Sequence, residues 1–269
     1  MRLLALLLLL LAGPAAAAPQ RIVSLNKCTD QLLVRLVAPN RIASVSPIGT
    51  DELSFLADEL RALPANAGRG ESILLTNADL VLAGPFESHL RRDLLARAGF
   101  EVMVVGLWTS LADGRAQVRA LASRLGAEAR GEALIGALDD ALARSRGIAP
   151  PRSALVLQRR GYTPGDSSFL DEVLRHTGLV PHSARLGLPH GGTVSLERLL
   201  ADPPDYLVMA ESDRRAVDQG SALLWHPALS AAVPPERRLY LPDPLTLCGG
   251  PATPLLIEVL AAEIRAKVR

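Results

Sequence analysis

Two cysteines stand in this 269-residue sequence, Cys28 in "SLNKCTDQLL" and Cys248 in "LTLCGGPATP". Each follows a short apolar run that breaks into a helix start. Thiols at such places can form a disulfide, or stay free and coordinate a metal. The five histidines, His89, His176, His182, His190 and His226, show neither H-x-x-x-H nor H-E-x-x-H spacing. Without two imidazoles on one helix face, no metal site built from side chains is expected. The sequence has no G-x-S-x-G elbow, no Walker loop and no G-x-G-x-x-G after a strand, and the serines of "GDSSF" have no evident base. These residues argue against an enzyme, and no cofactor is expected.

Binding chemistry remains. Aromatic residues make up only 3% of the chain, so each can be asked what it does. Phe86, Trp108, Tyr162 and Phe169 fall in or near loops that follow strands. Glycine, threonine and proline neighbours mark Trp108 and Tyr162 as loop residues suited to touching a ligand. Phe86 and Phe169 are as well explained by packing. His190, in the glycine-rich "LPHGGT", is retained as a ligand contact, while His89, His176 and His226 read as helical or surface residues.

Short apolar strands alternating with helices must position these side chains. Strands are expected at Arg21–Leu25, Arg41–Ser46, within "ADLVLAG" ending at Gly84, and at Phe100–Gly106. Between them the apolar spacing predicts helices over "TDQLLVRLV", Asp51–Leu60, Glu71–Asn77 and Ser88–Ala98. From Ser110 to Gly147 the rhythm changes to two successive helices, the second about twenty residues long and thus about 30 Å in length. The alternation then resumes with strand "SALVLQ", helices "SFLDEVLRHTG" and "SLERLLA", strand "DYLVMAE", a helix near Gly220–Leu224, strand "RRLYLPD" and a terminal helix Pro251–Lys267. The expected fold class is α/β, with two lobes, each a mostly parallel sheet flanked by helices, joined by one long helix. The boundaries are 18–126 for the N-terminal lobe, 127–149 for the connecting helix and 150–269 for the C-terminal lobe.

A basic start, the apolar run Leu3–Leu11 and a small-residue exit predict a cleavable signal peptide over 1–17, too short for an ordinary membrane span. The protein is therefore expected in a periplasm. A net charge of +1 offers no electrostatic commitment to nucleic acid.

With lobes, connecting helix and signal peptide in view, the chain resembles the periplasmic binding proteins of ABC importers for cobalamin, ferric siderophores and related metal chelates. The carriers are "RIVSLNKCTDQLL", "RIASVSP", "GRGESILLTNADLVLAG", "LLARAGFEVMVV", the long middle helix, "SLERLLADPPDYLVM" and "GGPATPLLIEVLAAE", in that order over nearly the whole mature chain. The resemblance implies a monomeric receptor with a backbone helix near Glu128–Arg146 that holds a chelate between its lobes, whether ferric siderophore, cobalamin or haem. It implies cleft residues Cys28, Thr29, Pro47, Phe86, Trp108, Tyr162 and Asp243. Arg159, with Arg160 and Arg69, would suit an anionic chelate. It further implies acidic docking residues for an inner-membrane permease, at Glu87 and Asp93 around His89 in one lobe and at Glu211 and Asp213 in the other.

In an exported protein the even cysteine count favours a Cys28–Cys248 disulfide, provided that the two Cα atoms approach within about 7 Å. Two free thiols facing the ligand are the alternative. An exported α/β hydrolase and a ligand-binding domain for a sensor are the competing functions. Turnover of a substrate would mark the first, and uptake that survives mutation of both acidic patches would mark the second.

Overall fold

The computed structural model describes residues 17–165, 168–214 and 217–269. The expected signal peptide, apart from its last residue, and Asp166 and Ser167 of "GDSSF" lie outside them. The first half of the chain forms β1 (Ile22–Ser24), α1 (Lys27–Leu36), β2 (Ile42–Ser44), α2 (Ala57–Arg61), α3 (Gly70–Leu74), β3 (Leu80–Ala83), α4 (His89–Arg97) and β4 (Val102–Val104). Two helices follow without a strand between them, α5 (Leu111–Leu125) and α6 (Glu128–Ser145). The second half forms β5 (Ser153–Val156), β6 (Tyr162–Thr163), α7 (Phe169–Thr177), β7 (Val180–Pro181), β8 (Gly192–Thr193), α8 (Leu196–Ala201) and β9 (Tyr206–Ala210). It closes with α9 (Pro227–Ala232), β10 (Arg238–Leu241), α10 (Asp243–Thr246) and α11 (Thr253–Lys267).

All pairings within the two larger sheets are parallel, in the order β2-β1-β3-β4 for the first and β10-β9-β5-β7 for the second. The strands read as nearly unbroken apolar runs because both faces of each sheet are covered. Successive side chains alternate between those faces. On the first sheet Ile22, Leu80 and Leu82 enter the main core, while Val23 and Val81 turn to a smaller cluster with Ile73 and Leu95. On the second, Ala154, Val156, Tyr206, Val208, Leu239 and Leu241 face the main core, and Leu155, Leu207, Met209 and Tyr240 face a separate outer cluster. The main core runs without interruption from one sheet to the other through α5, α6 and α11, by way of Leu121, Leu138, Leu142, Leu256 and Leu260.

Helix boundaries follow local chemistry. Asn26 caps α1 by accepting from the Cys28 N–H at 2.8 Å, Ser110 caps α5 through Asp113 N–H, and Ser168 caps α7 through Asp171 N–H, each satisfying an orphan donor. Gly126 ends α5 in the left-handed conformation, φ 61°, which lets the chain turn directly into α6.

The expected helix over Asp51–Leu60 is present only from Ala57. Asp51 instead accepts from the Leu53 N–H at 3.0 Å and pairs with Lys27 at 2.5 Å, so its carboxylate stabilises a turn in competition with the helix. The Gly220–Leu224 stretch is likewise turn, since the Asp218 carboxylate takes the N–H groups of Gly220 and Ser221. The antiparallel pair β6–β8 and the edge strand β7 escaped sequence analysis, because two-residue strands have no periodicity to show. Pro181 is tolerated in β7 because that strand lies at a sheet edge. No described helix is long and apolar enough to cross a membrane.

Candidate functional site

Parallel strands deliver their carboxyl-end loops to one side of each sheet, and here two adjoining cavities open between the two sets of loops. The first, about 230 Å³, is lined by Leu53 from the first lobe and by Val156, Arg159, Asp213, Leu241 and Asp243 among residues of the second. The second, about 370 Å³, is lined by Leu107, Trp108 and Thr109 on one side and by Tyr162, Phe169 and His190 on the other. Gln158, Leu170, Thr246 and Leu247 border both, so the two form one cleft.

Covalent and packing contacts join the two lobes beside the cleft. Cys28 and Cys248 form a disulfide with their Cα atoms 5.4 Å apart. Trp108 is only 8% exposed and meets Phe169 edge-on, ring centroids 6.3 Å apart. A Cβ on Gly114 or Gly249 would come within 2.4 Å of the indole ring, so the ring is clasped between one glycine from each lobe. The Leu111 N–H, at the start of α5, donates to Glu172 Oε2 of the other lobe at 2.6 Å.

The loops themselves are held by buried polar groups. Asp30 of α1 accepts from the Ser46 N–H at 3.0 Å and from the Ser46 hydroxyl, which fixes the turn carrying Pro47. Burial raises the Asp30 pKa, and the Ser24 and Ser46 hydrogen bonds oppose the rise. Asp113 Oδ2 accepts from Thr109 N–H at 2.9 Å, from the Thr109 hydroxyl and from Gln117. The Thr109 backbone bond leads in holding that carboxyl below its usual range.

Arg159 lies between two carboxylates, Nη1 donating to Asp213 Oδ1 at 3.2 Å and Nη2 donating to Asp218. Asp213 is 1% exposed; its burial raises its pKa, and Arg159 opposes that rise. Hydrogen bonding from Arg159 lowers the pKa of Asp218. Asp243 accepts from the Ser212 N–H at 3.0 Å and from the Ser212 hydroxyl at 2.5 Å.

The structure thus brings Trp108, Tyr162 and His190 together in one cavity and Arg159 with Asp243 in the other. Tyr162 is 42% exposed on the antiparallel β6–β8 pair and lines the cleft. Pro47 is exposed at the end of β2 and lines neither cavity. Phe86, 83% exposed, also lines neither. Thr29 is in the core rather than the cleft, its hydroxyl held by Ser24 at 2.7 Å and donating to Asn26 C=O at 2.8 Å.

Of the expected docking carboxylates, Asp93 and Glu211 are exposed, Glu211 pairing with Arg214 at 2.9 Å. Glu87 is largely buried against Arg91. Asp213 differs from expectation more sharply, since burial and Arg159 turn it into the cavity rather than toward a partner. Leu53, Leu107 and Leu247 are cleft walls not expected from the sequence. All three are 44–50% exposed, and only Leu107 follows a strand closely enough for its position to have signalled it. Among the described residues no three His, Cys, Asp or Glu side chains gather into a metal-binding group.

A family described as periplasmic binding protein matches residues 22–243. No curated protein matches the chain in sequence. Solved structures match over almost its whole length. The periplasmic heme-binding protein RhuT from Roseiflexus sp. RS-1, in apo form, is 24% identical with a TM-score of 0.71, covering 93% of this chain and 98% of that one. The periplasmic vitamin B12 binding protein BtuF of Vibrio cholerae is 20% identical with a TM-score of 0.69, covering 92% and 97%. A periplasmic binding protein from Veillonella parvula reaches a TM-score of 0.77 at 16% identity, covering 94% of each chain.

Proposed function

Because the chain belongs to the periplasmic binding protein family, whose members bind rather than transform their ligands, we propose that it captures a metal chelate between its lobes and delivers it to an ABC importer permease. The observation that carries this is the continuous cleft at the carboxyl ends of both sheets, walled by Trp108, Phe169 and Tyr162 and edged by Arg159, His190 and Asp243. Flat or globular chelates need apolar walls with a few fixed polar groups, and this cleft has both. The similar structures, a heme-binding and a vitamin B12 binding protein, support a macrocyclic or chelate ligand. Asp93 and Glu211, exposed on different lobes, are the proposed docking residues.

Both tryptophans are placed to report occupancy. Trp108 lines one cavity, and the Trp225 indole N–H donates to the Asp213 carbonyl beside the other at 2.7 Å. Titration of the oxidised protein with cobalamin, haem and ferric siderophores is expected to give saturable quenching by one of them at micromolar or tighter affinity. Flat curves throughout would overturn the proposal. For delivery, D93N together with E211Q is expected to lower uptake through the cognate permease without changing ligand affinity. Unchanged uptake would remove the docking assignment.

A further inference from the structure

The charged groups around the cleft restrict what can fill it. Among the described residues lining the two cavities there is one arginine or lysine, Arg159, against two carboxylates, Asp213 and Asp243. Arg159 is already bound to Asp213 and Asp218. Asp243 is hydrogen-bonded by Ser212 and has no cationic partner among the described residues. Other nearby cations are occupied or elsewhere: Lys27 pairs with Asp51, Arg91 with Glu87, and Arg214 with Glu211. Arg69 and Arg160 are exposed and line neither cavity.

An anionic chelate entering this cleft would lose hydration beside carboxylates and meet no uncommitted arginine or lysine. Drawing Arg159 away would not solve the problem, because Asp213 would be left buried and unpaired, the costliest state of a charge pair. We propose that the cleft selects a chelate with no net negative charge, the class of a corrinoid or a ferric trihydroxamate, and rejects ferric tricatecholates and haem with its propionates. This rests on the chelate-receptor function proposed above and narrows its ligand.

The test is a tryptophan-quenching titration of the oxidised protein with four probes: cyanocobalamin, ferrioxamine B, a ferric tricatecholate and haem. Saturable binding of cyanocobalamin or ferrioxamine B is expected, with both anionic probes weaker by about a hundredfold or more. Which neutral or cationic probe binds identifies the source. The variant D218N releases one side of Arg159 and retains an oxygen to accept from Gly220 and Ser221. It is expected to narrow the gap between the classes by about tenfold, whereas R159Q is expected not to. Tricatecholate or haem bound as tightly as the neutral probes would overturn the charge selection and leave the receptor function standing. An unchanged ratio in D218N would also overturn it, because the commitment of Arg159 to carboxylates would then not be what discriminates. Binding of none of the four would overturn the receptor function, and the charge selection with it.

Discussion

Trp108 is held between two residues that have no side chain, and this makes the sign of a simple substitution informative. In an exposed helix interior Gly→Ala stabilises by about 1 kcal/mol. At Gly114 in α5 the added methyl would lie 2.3 Å from the Trp108 ring, and overpacking of this kind costs about 1–3 kcal/mol. Gly114→Ala is therefore expected to lower stability despite the better helix former, and Gly249→Ala to do so without any compensation, both read as a fall in denaturant midpoint. Asp113 controls the same loop through Thr109. Its depressed pKa means that the unfolded chain takes up the proton first as pH falls. The stability it contributes is thus present above the ordinary aspartate range, about pH 4, and is lost as pH drops through its lower folded-state value. Trp108 emission in a W225F background should stay constant from neutral pH down to that range and shift red below it, while D113A should show the shifted spectrum already at neutral pH. The place of Trp108 past the end of a strand was legible in the sequence, but the glycines around it were not, because Gly249 lies far along the chain and its proximity exists only after folding.

The elements were readable where they were long and one-sidedly apolar. In α6, Ile135, Leu138 and Leu142 recur at helical spacing and all enter the main core, so both the helix and its buried face could be read from the pattern. Leu138→Ala is expected to cost about 2–5 kcal/mol in equilibrium unfolding. An equivalent change on the exposed face, such as Glu132→Ala, should fall within about 0.5 kcal/mol, because its ion pair with Arg119 is solvent-exposed. Short elements escaped for a different reason. The antiparallel β6–β8 pair that presents Tyr162 joins segments separated by α7 and β7 and is held by tertiary contacts, among them the bond from the Val194 N–H to the Gly161 carbonyl, and no local preference announces it. Asp51 and Asp218 misled in the opposite direction: both sit where a helix start is plausible, and each uses its carboxylate to build a turn.

At the scale of the molecule, the two lobes share one core, one clasped indole and one disulfide. Closing a loop across a sequence separation of 220 is worth at most about 5 kcal/mol in the chain-entropy model. Serine at both cysteines is expected to lower stability by about 3–5 kcal/mol in denaturant, with the native radius of gyration by small-angle scattering unchanged, because the shared core still holds the lobes. A marked expansion of the reduced protein would show instead that the disulfide alone sets the cleft width. The two-sheet architecture followed from the alternation of strands and helices. The common core did not, since it depends on which faces of α5, α6 and α11 meet.

The disulfide also makes the molecule a covalent ring, with Cys28 near the start of the first helix and Cys248 just before the last. A protease cut in any exposed loop between them, such as the one carrying Phe86 or the one carrying His190, opens the backbone without releasing a fragment. A nicked chain should therefore run as one species on a denaturing gel until it is reduced, and as two afterwards. In a compartment that contains proteases, such a protein can sustain a break and keep both walls of its cleft attached.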